Sequence, residues 1–263
     1  LSLLVQNPTV AALAAAILQK HHSPIQQQHS SIVNLSQHES GTSVYFAASG
    51  HGDALRLAPL AKALGSAFNL HMLQPPLFEE DNAYRTIGEL TDLYATLIEQ
   101  RQHVSPPIIA GFSIGGISAL ETARRLLANG VNIGGLVLVD TAYPRWNFSR
   151  TMGWLASGWL VKTLRLQELS LNQRSLGSLF NDSGLNSQIA ALKKYQPSPL
   201  PIPTLLVISS GFSRWHRLLF KPWRQIFKAH LTEQELPGFH GTLLADEHVE
   251  ALAELIRRSA VKR

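Results

Sequence analysis

Cysteine is absent from the 263 residues, so no disulfide framework can staple the fold and no thiolate can serve as nucleophile or metal ligand. That composition suits a reducing compartment, and a cytoplasmic location is the expectation. Long hydrophobic runs are missing too. The longest uncharged apolar stretch, Val104 to Leu120, is broken by Pro106, Pro107, Gly111, Gly115 and Gly116. It reads as strand, turn and helix, and no membrane partner is expected. No signal peptide is visible at the start, and the sequence opens on Leu1 and not Met; a cut from a longer protein is the expectation, with processing as the alternative. Finally, no Asp or Glu occurs from Ser183 to Thr232.

An excess of one charge is nearly absent as well. The net charge is +5, and the basic residues are mostly dispersed. No Lys/Arg run interleaves with exposed aromatics in a known module, so no nucleic-acid partner is expected. With 45% hydrophobic and 16% charged residues the chain reads as globular, long enough for one large α/β domain plus short extras.

What is present begins with Asn7-Pro8, a cap and a first-turn proline opening an amphipathic helix over residues 1–20. Val10, Leu13, Ala14 and Ile17 share its apolar face. Residues 21–41 are rich in His, Gln and Ser and read as a linker, within which Val33 to Leu35 fits an edge strand. From residue 42 onward, strands alternate with helices. Strands are expected at Ser43 to Ala48, Leu70 to Leu73, Ile108 to Phe112, Gly135 to Asp140, Thr204 to Ser209 and His230 to Leu236. Helices are expected at Leu57 to Leu64, after the capping box Thr86/Glu89, at Ile117 to Leu127 and at Asp246 to Arg258. This rhythm predicts an α/β fold with a mostly parallel sheet covered on both faces. Residues 144–200 interrupt it.

Gly111-Phe112-Ser113-Ile114-Gly115 matches G-x-S-x-G between an apolar strand and a helix. A sharp turn there lifts the Ser113 hydroxyl above the sheet, and the flanking glycines let backbone approach closely. The bland alternative is a glycine-rich turn in which Ser113 merely caps a helix. In the α/β-hydrolase order the acid and then the histidine follow the serine. His240, in Pro237-Gly238-Phe239-His240-Gly241, lies on a loop after the last strand. Its rival His248 falls inside the final helix. Many hydrolases place the acid after the strand here ending at Ser209, but that whole region lacks carboxylates. Asp140, at the carboxyl end of the expected strand Gly135 to Asp140, is the one carboxylate so placed between Ser113 and His240. An oxyanion site needs two backbone N–H groups. One is expected from Ile114, the other from the loop Ala48-Ser49-Gly50-His51-Gly52-Asp53, with Gly50 favoured and Ser49 or His51 as alternatives. His51 is also a candidate substrate contact.

Together these pieces resemble the type I thioesterase domains of nonribosomal peptide and polyketide synthases, over Val33 to the C-terminal helix. The resemblance rests on Phe46 to Leu60, on Gly111-Phe112-Ser113-Ile114-Gly115-Gly116, on Leu136 to Asp140 and on Gly238-Phe239-His240. The first loop departs from the family's frequent proline-containing form, reading Ala47-Ala48-Ser49-Gly50. The resemblance implies an α/β-hydrolase fold and a Ser113–Asp140–His240 triad, with the acid after the strand that follows the nucleophile helix. It implies a helical lid at about 144–200, where Trp154 and Trp159 are candidate contacts for the acyl chain. Asn7 to Ala14 looks like the last helix of a carrier protein directly upstream. No bound cofactor is implied; the small-molecule acyl chain would arrive on the phosphopantetheine of that carrier in cis and leave by hydrolysis or macrocyclisation. Arg214, Arg217, Lys221, Arg224 and Lys228, interleaved with Trp215, Phe220, Trp223 and Phe227, read as a solvated face, with contact to an acidic carrier or its phosphate as the alternative. A stand-alone lipase or carboxylesterase, or a non-catalytic binding module on the same fold, are the rival readings.

Overall fold

The computed structural model describes residues 9–11, 31–36, 41–49, 53–75, 86–144, 192, 195–211 and 218–261. Within them seven strands form one sheet: β1 (Ile32–Asn34), β2 (Thr42–Ala47), β3 (Phe68–Leu73), β4 (Ile108–Phe112), β5 (Gly135–Val139), β6 (Thr204–Ser209) and β7 (Leu231–Leu236). Their spatial order is β1-β3-β2-β4-β5-β6-β7. Only β1 runs antiparallel, pairing Ile32 with Leu73; the other pairings are parallel. The helices are α1 (Asp53–Leu64), α2 (Ile87–Glu99), α3 (Gly115–Ala128), the short α4 (Trp223–Phe227) and α5 (Asp246–Val261).

Every residue of β3, β4, β5 and β6 is buried. This is why those segments are near-continuous apolar runs: a parallel sheet is covered on both faces. Alternate strand residues feed two cores. Tyr45, Ile109, Leu136 and Leu206 point into the one built with α2 and α3. Val44, Phe46, Ala110, Val137 and Val207 point into the one built with α1 and α5. Thr86 caps α2 by accepting the Glu89 N–H at 3.2 Å, as the capping box predicts, and Ile87, Leu90, Tyr94 and Ile98 are the buried stripe. The edge strand falls at Ile32–Asn34, inside the stretch read as a linker.

Two expectations shift. Helix α1 starts at Asp53, one turn ahead of the expected Leu57, and ends at Leu64 as expected. The aromatic and basic segment contains α4, which the sequence reading did not assign. Its Trp223 and Phe227, with Phe220 just before, are buried, while Lys221, Arg224 and Lys228 are exposed. Among the described residues no helix is long and apolar enough to cross a membrane.

Candidate active site

The parallel strands all present their carboxyl ends on one edge of the sheet, and the chemistry-bearing residues lie there. Ser113 directly follows β4. Its N–H donates to the Val139 carbonyl at 2.8 Å, continuing the β4–β5 ladder. Its φ is 56°, a left-handed conformation that costs a non-glycine residue roughly 1–3 kcal/mol. The strained strand-to-helix turn has the form of a nucleophile elbow, and the glycines around it fit because nothing larger would. A Cβ at Gly115 would overlap the Ala47 carbonyl, and one at Gly116 would overlap the Thr141 side chain. Helix α3 thereby starts against the ends of β2 and β5. The Ile114 N–H belongs to the first turn after the elbow, where helix donors lack intrahelical acceptors.

Asp140 directly follows β5 and is also left-handed, with φ 46°. Its N–H donates to the Val207 carbonyl at 2.7 Å, and its side chain is fully buried. Ser209, the last residue of β6, donates its N–H to Oδ1 at 3.0 Å and its hydroxyl to Oδ2 at 2.8 Å. His240 Nδ1 lies 2.8 Å from the same Oδ2. Burial pushes the Asp140 carboxyl up, but the bond and charge of His240 and the two Ser209 donors outweigh it and hold it below the usual carboxylate value. Asp140 is therefore held in its ionised form, hydrogen-bonded to the imidazole of His240.

His240 stands on the loop after β7 and is partly exposed. Its ring stacks on Phe112, the residue before Ser113, with centroids 4.6 Å apart and planes 24° from parallel. The loop is held on its amino side by the Gly211 N–H, which donates to the Gly238 carbonyl at 2.8 Å, and by the Thr242 hydroxyl, which accepts the Phe239 N–H at 3.0 Å. The structure thus joins Asp140 to His240 directly and seats the imidazole on the elbow that carries Ser113. His248 does not join this set. It sits in α5 against Gly238, with Nε2 3.2 Å from Glu247.

The Ser49 hydroxyl donates to the Phe112 carbonyl at 2.6 Å and ties the first loop to the elbow. Gly50, His51, Trp154, Trp159, Arg214, Trp215 and Arg217 lie outside the described residues, as do the linker up to residue 30 and most of the insert. Arg224 forms a bidentate pair with Glu233, both distances 2.7 Å. Ser209 was missed by the sequence reading. The signal was available: it ends the strand after which many hydrolases keep the acid, and here it donates twice to Asp140 at the end of the neighbouring strand.

A family model described as a thioesterase domain matches residues 44–260. The chain belongs to the thioesterase domain family. Among solved structures, this thioesterase domain is similar to the NocB thioesterase domain, described as a covalent complex with a fluorophosphonate nocardicin G analogue. The two share 26% identity with a TM-score of 0.65, over 84% of this chain and 95% of the other. It is also similar to AB3403, a four-domain nonribosomal peptide synthetase, at 25% identity and a TM-score of 0.68, over 99% of this chain and 22% of that one. Atromentin synthetase invA5 of Paxillus involutus is 25% identical over 297 residues, covering 97% of this chain and 31% of the relative. The chain therefore spans about a third of the length of that curated relative. The thioesterase domain has the α/β-hydrolase architecture expected from the sequence.

Proposed function

We propose that the chain releases a finished acyl chain from a carrier protein by way of Ser113, using Asp140 and His240 as orienter and base. The observation that carries this reading is the Asp140–His240 hydrogen bond of 2.8 Å beside the elbow, with both Ser113 and Asp140 held in left-handed backbone. His240 takes the Ser113 proton at Nε2 while Oγ bonds to the thioester carbonyl carbon. The oxyanion is held by the Ile114 N–H and by a second donor from the loop at Gly50. The carbon–sulfur bond breaks, and the pantetheine thiol leaves with the proton from His240. Water, or a hydroxyl or amine within the chain, then attacks the acyl-Ser113 ester, His240 again taking and returning the proton. Water yields a free acid, and an internal nucleophile yields a ring.

The phosphopantetheine belongs to the carrier and is the substrate's handle; this chain needs no cofactor of its own for these steps. A carrier in cis fits the multidomain relatives. It also fits the fuller coverage by the four-domain synthetase, 99% of this chain against 84% for the isolated NocB domain. On this reading residues 1–20 are the carrier's last helix, residues 21–41 are the connection and the thioesterase domain begins at residue 42, with residues 144–200 as the lid over the acyl chain and His51, Trp154 and Trp159 as contacts to it.

Mass spectrometry of the products from a synthetic acyl-pantetheine thioester tests the proposal. Release as acid or ring, abolished in S113A, is expected. Release that persists in S113A, or preference for simple oxygen esters over the thioester, contradicts it.

A further inference from the structure

The loop bearing His240 is secured ahead of the histidine by Gly211 and Thr242. On its other side the Gly241 carbonyl accepts from Nη2 of Arg56 of α1 at 3.2 Å. The same guanidinium lies over the Phe112 ring, its central carbon 5.2 Å from the centroid. That ring is the one on which His240 stacks. One half-buried arginine therefore touches both partners that must stay in register, the elbow through its aromatic residue and the histidine loop through its backbone. A guanidinium suits both contacts: its planar, delocalised charge lies on an aromatic face while its edge donates in plane.

We infer that Arg56 is a positioning residue for catalysis, fixing the His240 loop against the nucleophile elbow. The inference rests on the Ser113–Asp140–His240 reading above. On this inference Arg56 acts through His240, by its contacts to the Gly241 carbonyl and the Phe112 ring. Displacement of a catalytic group by about 1 Å costs on the order of a hundredfold in rate, so the loss of one of several restraints is expected to cost roughly tenfold.

The test measures kcat and KM for an acyl-pantetheine thioester with the full chain in R56A, R56K, H240A and the R56A/H240A double variant, with thermal midpoints recorded for each. R56A is expected to lower kcat about tenfold with KM within about twofold. R56K, which keeps charge and reach without the planar stack, is expected to recover part of that loss. In the H240A background R56A is expected to add nothing, because the group it positions is gone. Should R56A fail to fold, R56M, which keeps the aliphatic stem, takes its place in every arm. Wild-type kcat in a folded R56A or R56M overturns the inference while leaving the triad standing. An equal loss from R56A with and without His240 overturns it too, since Arg56 would then act by another route. An H240A variant with the wild-type rate overturns the triad and this inference with it.

Discussion

The Asp140 carboxylate accepts three hydrogen bonds, two from Ser209 and one from His240. Each donor favours the ionised form, and together they outweigh the burial, which alone would raise the pKa. Ser209→Ala removes the hydroxyl donor and keeps the N–H. A hydrogen bond to a buried charge is worth about 1.5–3 kcal/mol, part of which the remaining donors retain. The expected outcome is a kcat/KM lowered by roughly tenfold with the fold intact. Steady-state kinetics of S209A against an acyl-pantetheine thioester check it; an unchanged kcat/KM contradicts a role for Ser209 in holding the acid.

At the scale of elements, the site depends on how closely α3 can approach the strand ends. Gly116 lies where a Cβ would overlap the Thr141 hydroxyl, methyl and Cβ atoms. Gly116→Ala therefore forces α3 away from the end of β5 and is expected to lower stability by about 1–3 kcal/mol, the range for an overpacked site. A fall in the thermal midpoint, partly relieved by T141A, is the outcome to look for in a calorimetric comparison. The strands and long helices were legible because their burial writes itself into the sequence. Ile108 to Phe112 and Gly135 to Val139 are unbroken apolar runs, and Thr86 with Glu89 marks the start of α2. Helix α4 was not legible, because Lys221, Arg224 and Lys228 fall between Phe220, Trp223 and Phe227 and make a half-buried turn read as a solvated charge run. The start of α1 was missed because the glycine-rich loop argues against helix locally up to Asp53, whereas Ala54, one turn ahead of Leu57, packs into the core and overrides that preference. At the site, Asp140 was found by elimination, since no other carboxylate ends a strand between Ser113 and His240. Ser209 was legible only from its place at the end of the strand after which many hydrolases keep the acid, and Arg56 carried no signal; only the fold brings it to Gly241.

At the scale of the whole molecule, stability carries a pH dependence from a group remote from the elbow. His71 of β3 is buried, stacked on Tyr45 at 4.9 Å, and the Tyr45 hydroxyl lies 2.9 Å from His103 Nε2. Burial first, then the positive charge of Arg101 and the proximity of His103, lower the His71 pKa to about 4. An unfolded histidine takes up its proton near pH 6.5, so between pH 6.5 and 4 the unfolded chain binds more protons than the folded one. Stability is full above that window and falls as pH drops through it. Between pH 7 and pH 5 the loss from this residue is about 2 kcal/mol, and H71F is expected to remove most of it. Urea midpoints at the two pH values, for both proteins, check this; an equal slope in each would contradict it.

The proposed chemistry requires the acyl group to pass through Ser113 under the action of His240. Intact-protein mass and peptide mapping after mixing with an acyl-pantetheine thioester measure this directly. A transient acyl adduct on the peptide containing Ser113, seen in the wild-type protein and lost in both S113A and H240A, is the predicted result. Thioester cleavage at the wild-type rate with no adduct at Ser113, or an adduct that forms as fast without His240, would contradict it.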